Sequence, residues 1–237
     1  MKYIFMVAGK GSRLQPLTLN HPKSMFRLDN DTTLIQRMVC LIQKLDQNAD
    51  IVVVTGHMHT SIESQLKDVT FIYNPFYEVT NSIASLWFAR DHLDTENVVL
   101  IDCDIVMSEK LMRDIVCRPV EKPYVLLDSS IKTDGDYNAE VSDDCVVVMS
   151  KSLQSYYGEY AGITMLDHES AKLMKQELEN MIEEGHYDQW YENALVQLIF
   201  KNDFKLYYQD ICDYEWTEVD CVNDLLRARM IHAKEKK

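Results

Sequence analysis

The sequence predicts an α/β fold in which a largely parallel sheet is covered by helices on both faces. Three short apolar runs are rich in β-branched or aromatic residues and are predicted to be strands: 51–54, 70–73 and 98–101. Helix-like segments alternate with these runs, around 32–45, 59–67 and 81–92. Near-continuous apolar strands that alternate with helices are typical of a parallel sheet buried on both sides.

A further apolar run at 3–6 is predicted to be a buried first strand, and a glycine-containing loop follows it: Val7-Ala8-Gly9-Lys10-Gly11-Ser12-Arg13. Glycine lets the backbone approach a ligand closely and adopt positive φ, so that successive N–H groups can face anionic oxygens. Arg13 and Lys23 would add two fixed cations. The loop is therefore a candidate polyphosphate site, although it is also compatible with an ordinary strand-to-loop turn.

The helix at 81–92 has a suitable N-cap in Asn81 or Thr80. After about residue 120 the pattern changes and predicts, in order, a strand at 124–127, a hairpin at 137–149, amphipathic helices at 168–184 and 188–200, strands at 204–208 and 215–219, and a helix from about 221. No internal repeat, low-complexity tract or linker interrupts the chain, so we predict one domain.

Composition narrows the class of protein. With 24 Lys and Arg against 38 Asp and Glu among 237 residues, the net charge is 24 − 38 = −14. This charge argues against nucleic acid or an anionic membrane as a partner, because binding a phosphate backbone needs clustered basic residues. No apolar segment approaches the ~20 residues that span a bilayer, and no signal peptide is expected. Six scattered cysteines without a Cys-x-x-Cys pair predict reduced thiols and a cytoplasmic protein.

Three polar features are expected to meet in one cleft, because ligands of open parallel sheets lie outside the carboxyl ends of the strands. These features are the glycine loop, Gly56 after the predicted strand at 51–54, and Asp102-Cys103-Asp104 after the predicted strand at 98–101. Asp102 and Asp104 alternate along the chain and would share one face. Two carboxylates that lie close together repel one another and favour the binding of a cation, for which Mg²⁺ is the natural candidate. The alternative is a solvated acidic turn.

The glycine loop matches neither the dinucleotide fingerprint, since Leu14 stands where the third glycine belongs, nor the P-loop. Its pattern, Gly-x-Gly-x-Arg-Leu-x-Pro-x-Thr followed by Pro22-Lys23, resembles the signature of the sugar-nucleotide and CDP-alcohol pyrophosphorylases. These are nucleotidyltransferases with a Rossmann-like fold. The resemblance implies a three-layer sandwich with a mostly parallel central sheet and a smaller substrate-binding subregion. It also implies a single domain over 1–237, mainly nucleotide-binding in 1–120 and mainly acceptor-binding in 121–237.

A second matching segment lies near the other end of the chain, where Trp216-Thr217-Glu218-Val219-Asp220 precedes Asp224-Leu225. In the family that this segment resembles, the last acid of the triplet shares Mg²⁺ with the aspartate that ends the strand. The resemblance therefore implies Asp104 and Asp220 as metal ligands, while Cys103, where relatives show glycine, leaves open whether Asp102 assists. Asp220 is also explained as an acid favoured at a helix N-terminus.

The implied reaction is nucleotidyl transfer, in which a phosphate or phosphonate oxygen attacks the α-phosphorus of a nucleoside triphosphate and pyrophosphate leaves. Because that oxygen is already anionic, no general base is needed, and the site must orient and neutralise two anions. The resemblance implies Lys23 at the α-phosphate and Arg13 at the β- and γ-phosphates as catalytic residues. The other implied nucleotide contacts are Ala8, Gly9, Lys10, Gly11, Ser12, Gly56 and Asp102.

The segment 74–86 resembles the Asn-Pro…Asn-Asn-Ile-x-Ser-Leu segment of the branch that uses CTP, which includes LicC-type phosphocholine and 2-aminoethylphosphonate cytidylyltransferases. The resemblance implies that Asn81 and Ser82 contact the nucleotide. A helix cap followed by core-facing Ile83 and Leu86 is the alternative, and the two roles are compatible.

Three later segments, 149–151, 158–163 and 190–195, resemble the same branch and imply a set of acceptor-binding residues: Lys151, Glu159, Tyr160, Trp190, Tyr191 and Glu192. An acid beside aromatic rings suits an ammonium group, whereas Trp190 and Tyr191 are equally explained as core aromatics. Near Asn138-Ala139-Glu140 the lysine that relatives often carry is missing, which leaves the acceptor open.

The expected function is a Mg²⁺-dependent cytidylyltransferase that joins CMP from CTP to a small amine-bearing phosphate or phosphonate. One alternative is a sugar-1-phosphate nucleotidyltransferase that uses UTP or dTTP. Another is a nucleotide-binding module without catalysis.

Overall fold

The computed structural model describes residues 1–11, 14–15, 17–131, 137–202 and 204–236. Within these residues the strands are β1 Lys2–Val7, β2 Asp50–Thr55, β3 Thr70–Tyr73, β4 Val98–Asp102, β5 Ile105–Met107, β6 Tyr124–Asp128, β7 Asn138–Ser142, β8 Cys145–Ser150, β9 Gly158–Leu166, β10 Tyr207–Asp210 and β11 Trp216–Glu218. The helices are α1 Leu34–Leu45, α2 His59–Glu63, α3 Ser82–Phe88, α4 Glu109–Leu111, α5 His168–Glu183, α6 Glu192–Asn202 and α7 Val222–Glu235.

Nine of the strands form one mixed sheet in the order β3-β2-β1-β4-β9-β6-β10-β8-β7. The pairs among β1 to β4 are parallel, as is β6 with β10, whereas β9 runs antiparallel to both β4 and β6 and β8 runs antiparallel to β7 and β10. Only β8 and β9 of these strands therefore oppose the common direction. The remaining strands, β5 and β11, form a small antiparallel sheet of their own.

Helices cover both faces of the sheet because residues of β1 alternate between two apolar layers. Tyr3 and Phe5 pack into a cluster that contains Met38 of α1, whereas Ile4 and Met6 face a cluster that contains Leu86 of α3. The crossover through α1 leads from β1 to β2 on one side, and the crossover through α3 leads back to β4 on the other. The fold is thus a three-layer α/β sandwich, which confirms the predicted class.

The order of these strands also determines where a ligand can bind. Since β1 has β2 on one side and β4 on the other, the connections leaving the strands diverge between β1 and β4. Such a switch point leaves a crevice outside the carboxyl ends of the strands.

Two helix starts follow directly from local sequence. Thr33 and Gln36 form a capping box at the start of α1. Asn81 caps α3, since its side chain accepts a hydrogen bond from the Ser82 N–H at 2.8 Å. Of the two caps predicted for that helix, Asn81 is therefore confirmed, whereas Thr80 donates its hydroxyl to the Phe76 carbonyl.

Several elements of the structure begin or end at residues other than those predicted from the sequence. The segment 59–67 is helical only to Glu63, and the helix at 81–92 ends at Phe88 before a 3₁₀ turn over Arg90–His92. The helix expected from 188 starts at Glu192, and the strand expected at 204–208 lies at Tyr207–Asp210. No helix among the described residues combines the length and the apolar character needed to cross a bilayer.

Candidate active site

A cleft of about 220 Å³ opens at the carboxyl ends of β1 and β4, where the strand order predicts a crevice. The residues that line it are Met6, Ala8, Gly9, Tyr77, Thr80, Asn81, Ser82, Ser85, Asp102, Cys103, Asp104, Tyr137, Lys151, Tyr160, Gly162, Trp190, Glu192 and Glu218. The glycine loop and the acids after β4 thus converge, as the sequence predicts, and the start of α3 lies with them, whereas Gly56, the third predicted feature, does not line the cleft.

Beside this cleft lies a buried lysine between two carboxylates. The Lys23 side chain donates to Asp104 Oδ2 at 2.7 Å and also to Asp220 Oδ1, and the residue is only 7% exposed. Burial alone would lower the pKa of Lys23, but the charges of Asp104 and Asp220 outweigh this effect and raise the pKa above its ordinary value. Lys23 is therefore a fixed cation.

Three different elements bring this group together. Lys23 begins a 3₁₀ turn that follows Pro22, and Asp104 lies in the turn between β4 and β5. Because β11 pairs with β5, and the Val219 N–H donates to the Asp104 carbonyl at 2.9 Å, Asp220 is held next to Asp104. The Asp220 N–H in turn donates to Asp224 Oδ2 at 3.0 Å.

A third carboxylate, that of Glu218, joins Asp104 and Asp220. One ligand oxygen from each of the three lies within 4.8 Å of the others. A set of carboxylate oxygens is what a hard divalent cation prefers, so these residues fit the implied Mg²⁺. Glu218 is absent from the predicted ligands, although its position two residues before Asp220 on a strand end could have indicated it.

Asp102 ends β4 and lines the cleft close to these acids. Burial raises the pKa of Asp102 well above its usual range, and the neighbouring charges of Glu192, Asp104 and Glu218 act in the same direction. Carboxyl groups are therefore crowded on this wall of the cleft, where a bound cation would offset their mutual repulsion.

The glycine loop supports both the cleft and Lys23. Gly9 lines the cleft, and a Cβ at this position would meet nothing within 4 Å. Gly11 has a φ of +61° and lies so close to Lys23 that an added Cβ would be 3.2 Å from the Lys23 Cβ. The Thr18 hydroxyl holds this turn by donating to the Gly11 carbonyl at 2.8 Å.

The other residues near the loop that were predicted to contact the nucleotide do not line the cleft or lie outside the described residues. Gly56 lies behind Ala8, where an added Cβ would be 2.7 Å from the Ala8 carbonyl oxygen, and it does not line the cleft. Lys10 points to Glu78, with an ion pair of 2.9 Å. Ser12 and Arg13 lie outside the described residues.

The start of α3 also contributes to the cleft wall. Asn81 and Ser82 both line the cleft, and the Ser82 hydroxyl accepts the Tyr191 N–H at 2.9 Å. Ser85 lines the same wall, and its hydroxyl accepts a hydrogen bond from the buried Asn74 amide at 3.0 Å. Capping and exposure to the cleft are therefore compatible at Asn81.

An aromatic corner forms part of the cleft lining; we define it as Tyr137, Lys151, Tyr160, Trp190 and Glu192. The Lys151 ammonium lies 4.7 Å from the centre of the Trp190 ring. The Tyr137 ring makes edge contacts at 6.2 Å with both Trp190 and Tyr160. Burial raises the pKa of Glu192 to about 7, an effect that the positive charge of Lys151 opposes.

The sequence prediction named four of these five residues and missed Tyr137. The two other predicted acceptor residues, Glu159 and Tyr191, are buried and do not line the cleft. Tyr191 has no exposed surface, and its hydroxyl pairs with that of Tyr160 at 2.8 Å. Tyr191 thus has the surroundings of a core aromatic, whereas Trp190 is 41% exposed at the cleft.

A three-layer α/β sandwich with a glycine loop, a buried lysine and three acids at the switch point defines a nucleotidyltransferase. Residues 3–129 match the family of MobA-like NTP transferase domains, and the chain belongs to that family.

Several curated relatives, among them the following two, extend over most of the chain. Choline-phosphate cytidylyltransferase from Streptococcus pneumoniae is 23% identical over 238 residues, which cover 99% of this chain and 100% of the relative. A 2-aminoethylphosphonate cytidylyltransferase from Lancefieldella rimae is 24% identical over 208 residues, or 86% and 82% of the two chains. A solved structure of CTP:phosphocholine cytidylyltransferase from Streptococcus pneumoniae has the same fold, with a TM-score of 0.80, 20% identity and 98% of each chain covered.

Proposed function

We propose that this protein is a Mg²⁺-dependent cytidylyltransferase that transfers CMP from CTP to a small amine-bearing phosphate or phosphonate and releases pyrophosphate. The observation that carries the proposal is one cleft where two chemically different groups of residues meet. The first group is the glycine loop with Lys23 and three acids beside it, which suit a metal-bound triphosphate. The second group is a set of aromatic rings with Glu192, which suits an ammonium group.

In the proposed step an anionic oxygen of the acceptor attacks the α-phosphorus of CTP. A new P–O bond forms, the bond from the α-phosphorus to the bridging oxygen breaks, and pyrophosphate carries away the electron pair. No proton needs to be removed from the acceptor oxygen. The contribution of the protein is therefore orientation and charge stabilisation.

Lys23 would bind the α-phosphate and the incoming oxygen, because it is a permanent cation held at the edge of the cleft. Arg13 and the backbone N–H groups of the glycine loop would bind the β- and γ-phosphates. Asn81 and Ser82 would contact the nucleoside. Lys151 would bind the phosphate or phosphonate of the acceptor.

Asp104, Glu218 and Asp220 would hold the Mg²⁺. When bound, Mg²⁺ neutralises phosphate charge and orients the phosphate oxygens of the substrates. Asp102 would assist from the same wall of the cleft, where it neighbours Asp104 and Glu218.

The two relatives described above are cytidylyltransferases by name, and their names give choline phosphate and 2-aminoethylphosphonate as the acceptors. Their coverage of the chain supports CTP over UTP or dTTP as the donor. We also propose a cytoplasmic location. All six cysteines are free among the described residues, which suits a reducing compartment.

The test is pyrophosphate release by the purified protein with each of CTP, UTP, dTTP and ATP. Each nucleotide is offered with phosphocholine, 2-aminoethylphosphonate, amino-acid phosphates and sugar 1-phosphates, in Mg²⁺ and in EDTA. We expect release with CTP and an amine-bearing acceptor, in Mg²⁺ only. Release with UTP or dTTP and a sugar 1-phosphate would instead identify a sugar nucleotidyltransferase. No release with any pair would indicate a binding module.

A further inference from the structure

The aromatic corner contains a buried carboxylate oxygen that has no hydrogen-bond donor. Among the described residues Glu192 Oε2 has no hydrogen-bond partner, although it is fully shielded and the residue is only 6% exposed. Glu192 nevertheless lines the cleft. A buried polar atom without a partner is costly, and native proteins rarely leave one. This oxygen is therefore suited to accept a hydrogen bond from a ligand.

Neighbouring hydroxyl groups do not supply the missing donor. The Tyr137 hydroxyl donates to Asn193 Oδ1 at 2.7 Å. The Tyr160 hydroxyl lies 2.8 Å from both the Thr164 hydroxyl and the Tyr191 hydroxyl. Since the Tyr137 and Tyr160 hydroxyls already pair with other groups, a bound molecule can supply the donor that Glu192 Oε2 lacks.

The same corner already holds an ammonium group of the chain itself. The Lys151 ammonium lies over the Trp190 ring, 4.7 Å from its centre, and its charge acts on Glu192. This contact shows that the Trp190 ring packs against a primary ammonium.

We propose that the acceptor carries a protonated primary amine whose N–H donates to Glu192 Oε2, and that the enzyme selects it over a trimethylammonium group. This inference rests on the proposed function. A trimethylammonium head would still interact with the Trp190 ring. It has no N–H group, so it would leave the Glu192 oxygen buried and unpaired. Sites built to hydrogen-bond a substrate N–H discriminate strongly against analogues that lack it.

The experiment compares two matched pairs of acceptors with CTP and Mg²⁺. The pairs are phosphoethanolamine with phosphocholine, and 2-aminoethylphosphonate with its N,N,N-trimethyl analogue. We expect kcat/KM of the wild-type protein to be at least about tenfold higher for the primary amine of each pair. In Glu192→Met, which keeps a side chain of similar length but has no carboxylate oxygen to accept the N–H, this ratio should fall towards one.

Trp190→Leu is the matched control, because the ring attracts both kinds of cation. It should lower kcat/KM for both members of a pair while the ratio stays high. Equal or better use of the trimethylammonium acceptors by the wild type would overturn the inference, as would a ratio unchanged in Glu192→Met. If a substituted protein fails to fold, the wild-type ratio decides alone.

Failure of this inference is distinguishable from failure of the proposed function. If CTP and both members of each pair release pyrophosphate without preference, the cytidylyltransferase activity stands and the selection of a primary amine is wrong. If no amine-bearing acceptor releases pyrophosphate with CTP, both proposals are wrong.

Discussion

At the residue scale, the site depends on a lysine that is held as a cation inside an acidic cluster. Taking an ammonium out of water is unfavourable, and only the close carboxylates of Asp104 and Asp220 reverse the effect on the pKa of Lys23. The same carboxylates repel one another and Glu218 when Lys23 is absent. Lys23 therefore contributes to folding in the ligand-free protein as well as to phosphate binding.

Lys23→Ala should lower kcat by about 10²–10³-fold, since a preorganised charge at the reacting phosphate is lost. In EDTA it should also lower Tm, because three clustered carboxylates lose their countercharge, and Mg²⁺ should restore much of that Tm. Steady-state kinetics and thermal unfolding measure the two effects.

The control is Lys44→Ala, which removes a lysine from an exposed ion pair of 3.0 Å with Glu109. Exposed pairs contribute little, so kcat and Tm should hardly change. Near-normal turnover in Lys23→Ala would remove Lys23 from the mechanism.

The raised pKa of Glu192 predicts a pH dependence of acceptor use. Glu192 binds an ammonium group only as a carboxylate, and its pKa of about 7 leaves it largely protonated below that pH. kcat/KM for an amine-bearing acceptor should therefore rise as pH increases through about 7. In Glu192→Gln the rise in kcat/KM that comes from ionisation of Glu192 should be missing. The same acceptor is used with both proteins, so that the titration of the acceptor's phosphate affects both profiles equally. Identical pH profiles for the two proteins would contradict the assignment.

Some site residues could be predicted from the sequence and others could not. Lys23, Asp104 and Asp220 each lie beside a strand end or in a local pattern typical of phosphate and metal sites. Tyr137 carries no such pattern, and it reaches the cleft because β7 pairs with both β8 and β9. Its role depends on contacts between distant parts of the chain.

At the element scale, the junction between β11 and α7 determines where Asp220 lies. The Asp224 carboxylate accepts the N–H groups of Asp220 at 3.0 Å and Cys221 at 2.8 Å. An acid in the first turn of a helix is also favoured by the helix dipole. Asp224 is therefore a positioning residue for the proposed metal ligand.

Asp224→Ala should lower stability by about 1 kcal/mol, the usual cost of a lost helix cap. It should also weaken Mg²⁺ binding, measured by calorimetry in the presence of CTP, because Asp220 loses its anchor. Asp224→Asn keeps an accepting oxygen and should recover most of the Mg²⁺ affinity. An unchanged Mg²⁺ affinity in Asp224→Ala would limit Asp224 to a structural role.

The central strand β9 shows why some elements escape prediction. Gly158–Leu166 is buried throughout and joins β4 to β6, yet the sequence analysis assigns no strand to it. Two glycines interrupt its apolar pattern, and Gly162 has a φ of +68°, which is not a strand conformation. A Cβ there would be 2.7 Å from the Ile105 side chain. The requirement for glycine comes from tertiary packing, which local patterns do not reveal.

At the scale of the whole molecule, the alternation of strands and helices was sufficient to predict the class of fold. It also predicted the edge of the sheet where the cleft lies, because the carboxyl ends of parallel strands meet there. The reversed strand β9 and the small β5–β11 sheet depend on pairing between distant segments. The pairing of β5 with β11 is what brings Asp104 and Asp220 together.

The net charge of −14 is consistent with this arrangement. Anionic substrates have to enter an acidic molecule, so local cations and a metal ion must offset the repulsion. Substrate binding therefore depends on a few lysines and on the acidic cluster that would hold the metal ion.

The most direct test is a crystal structure of the protein with CTP and Mg²⁺. We predict the triphosphate over the glycine loop, the α-phosphate in contact with Lys23, and a metal ion bound by carboxylates from Asp104, Glu218 and Asp220. A nucleotide bound away from this cleft, or one bound here with no ion among the three acids, would contradict the account.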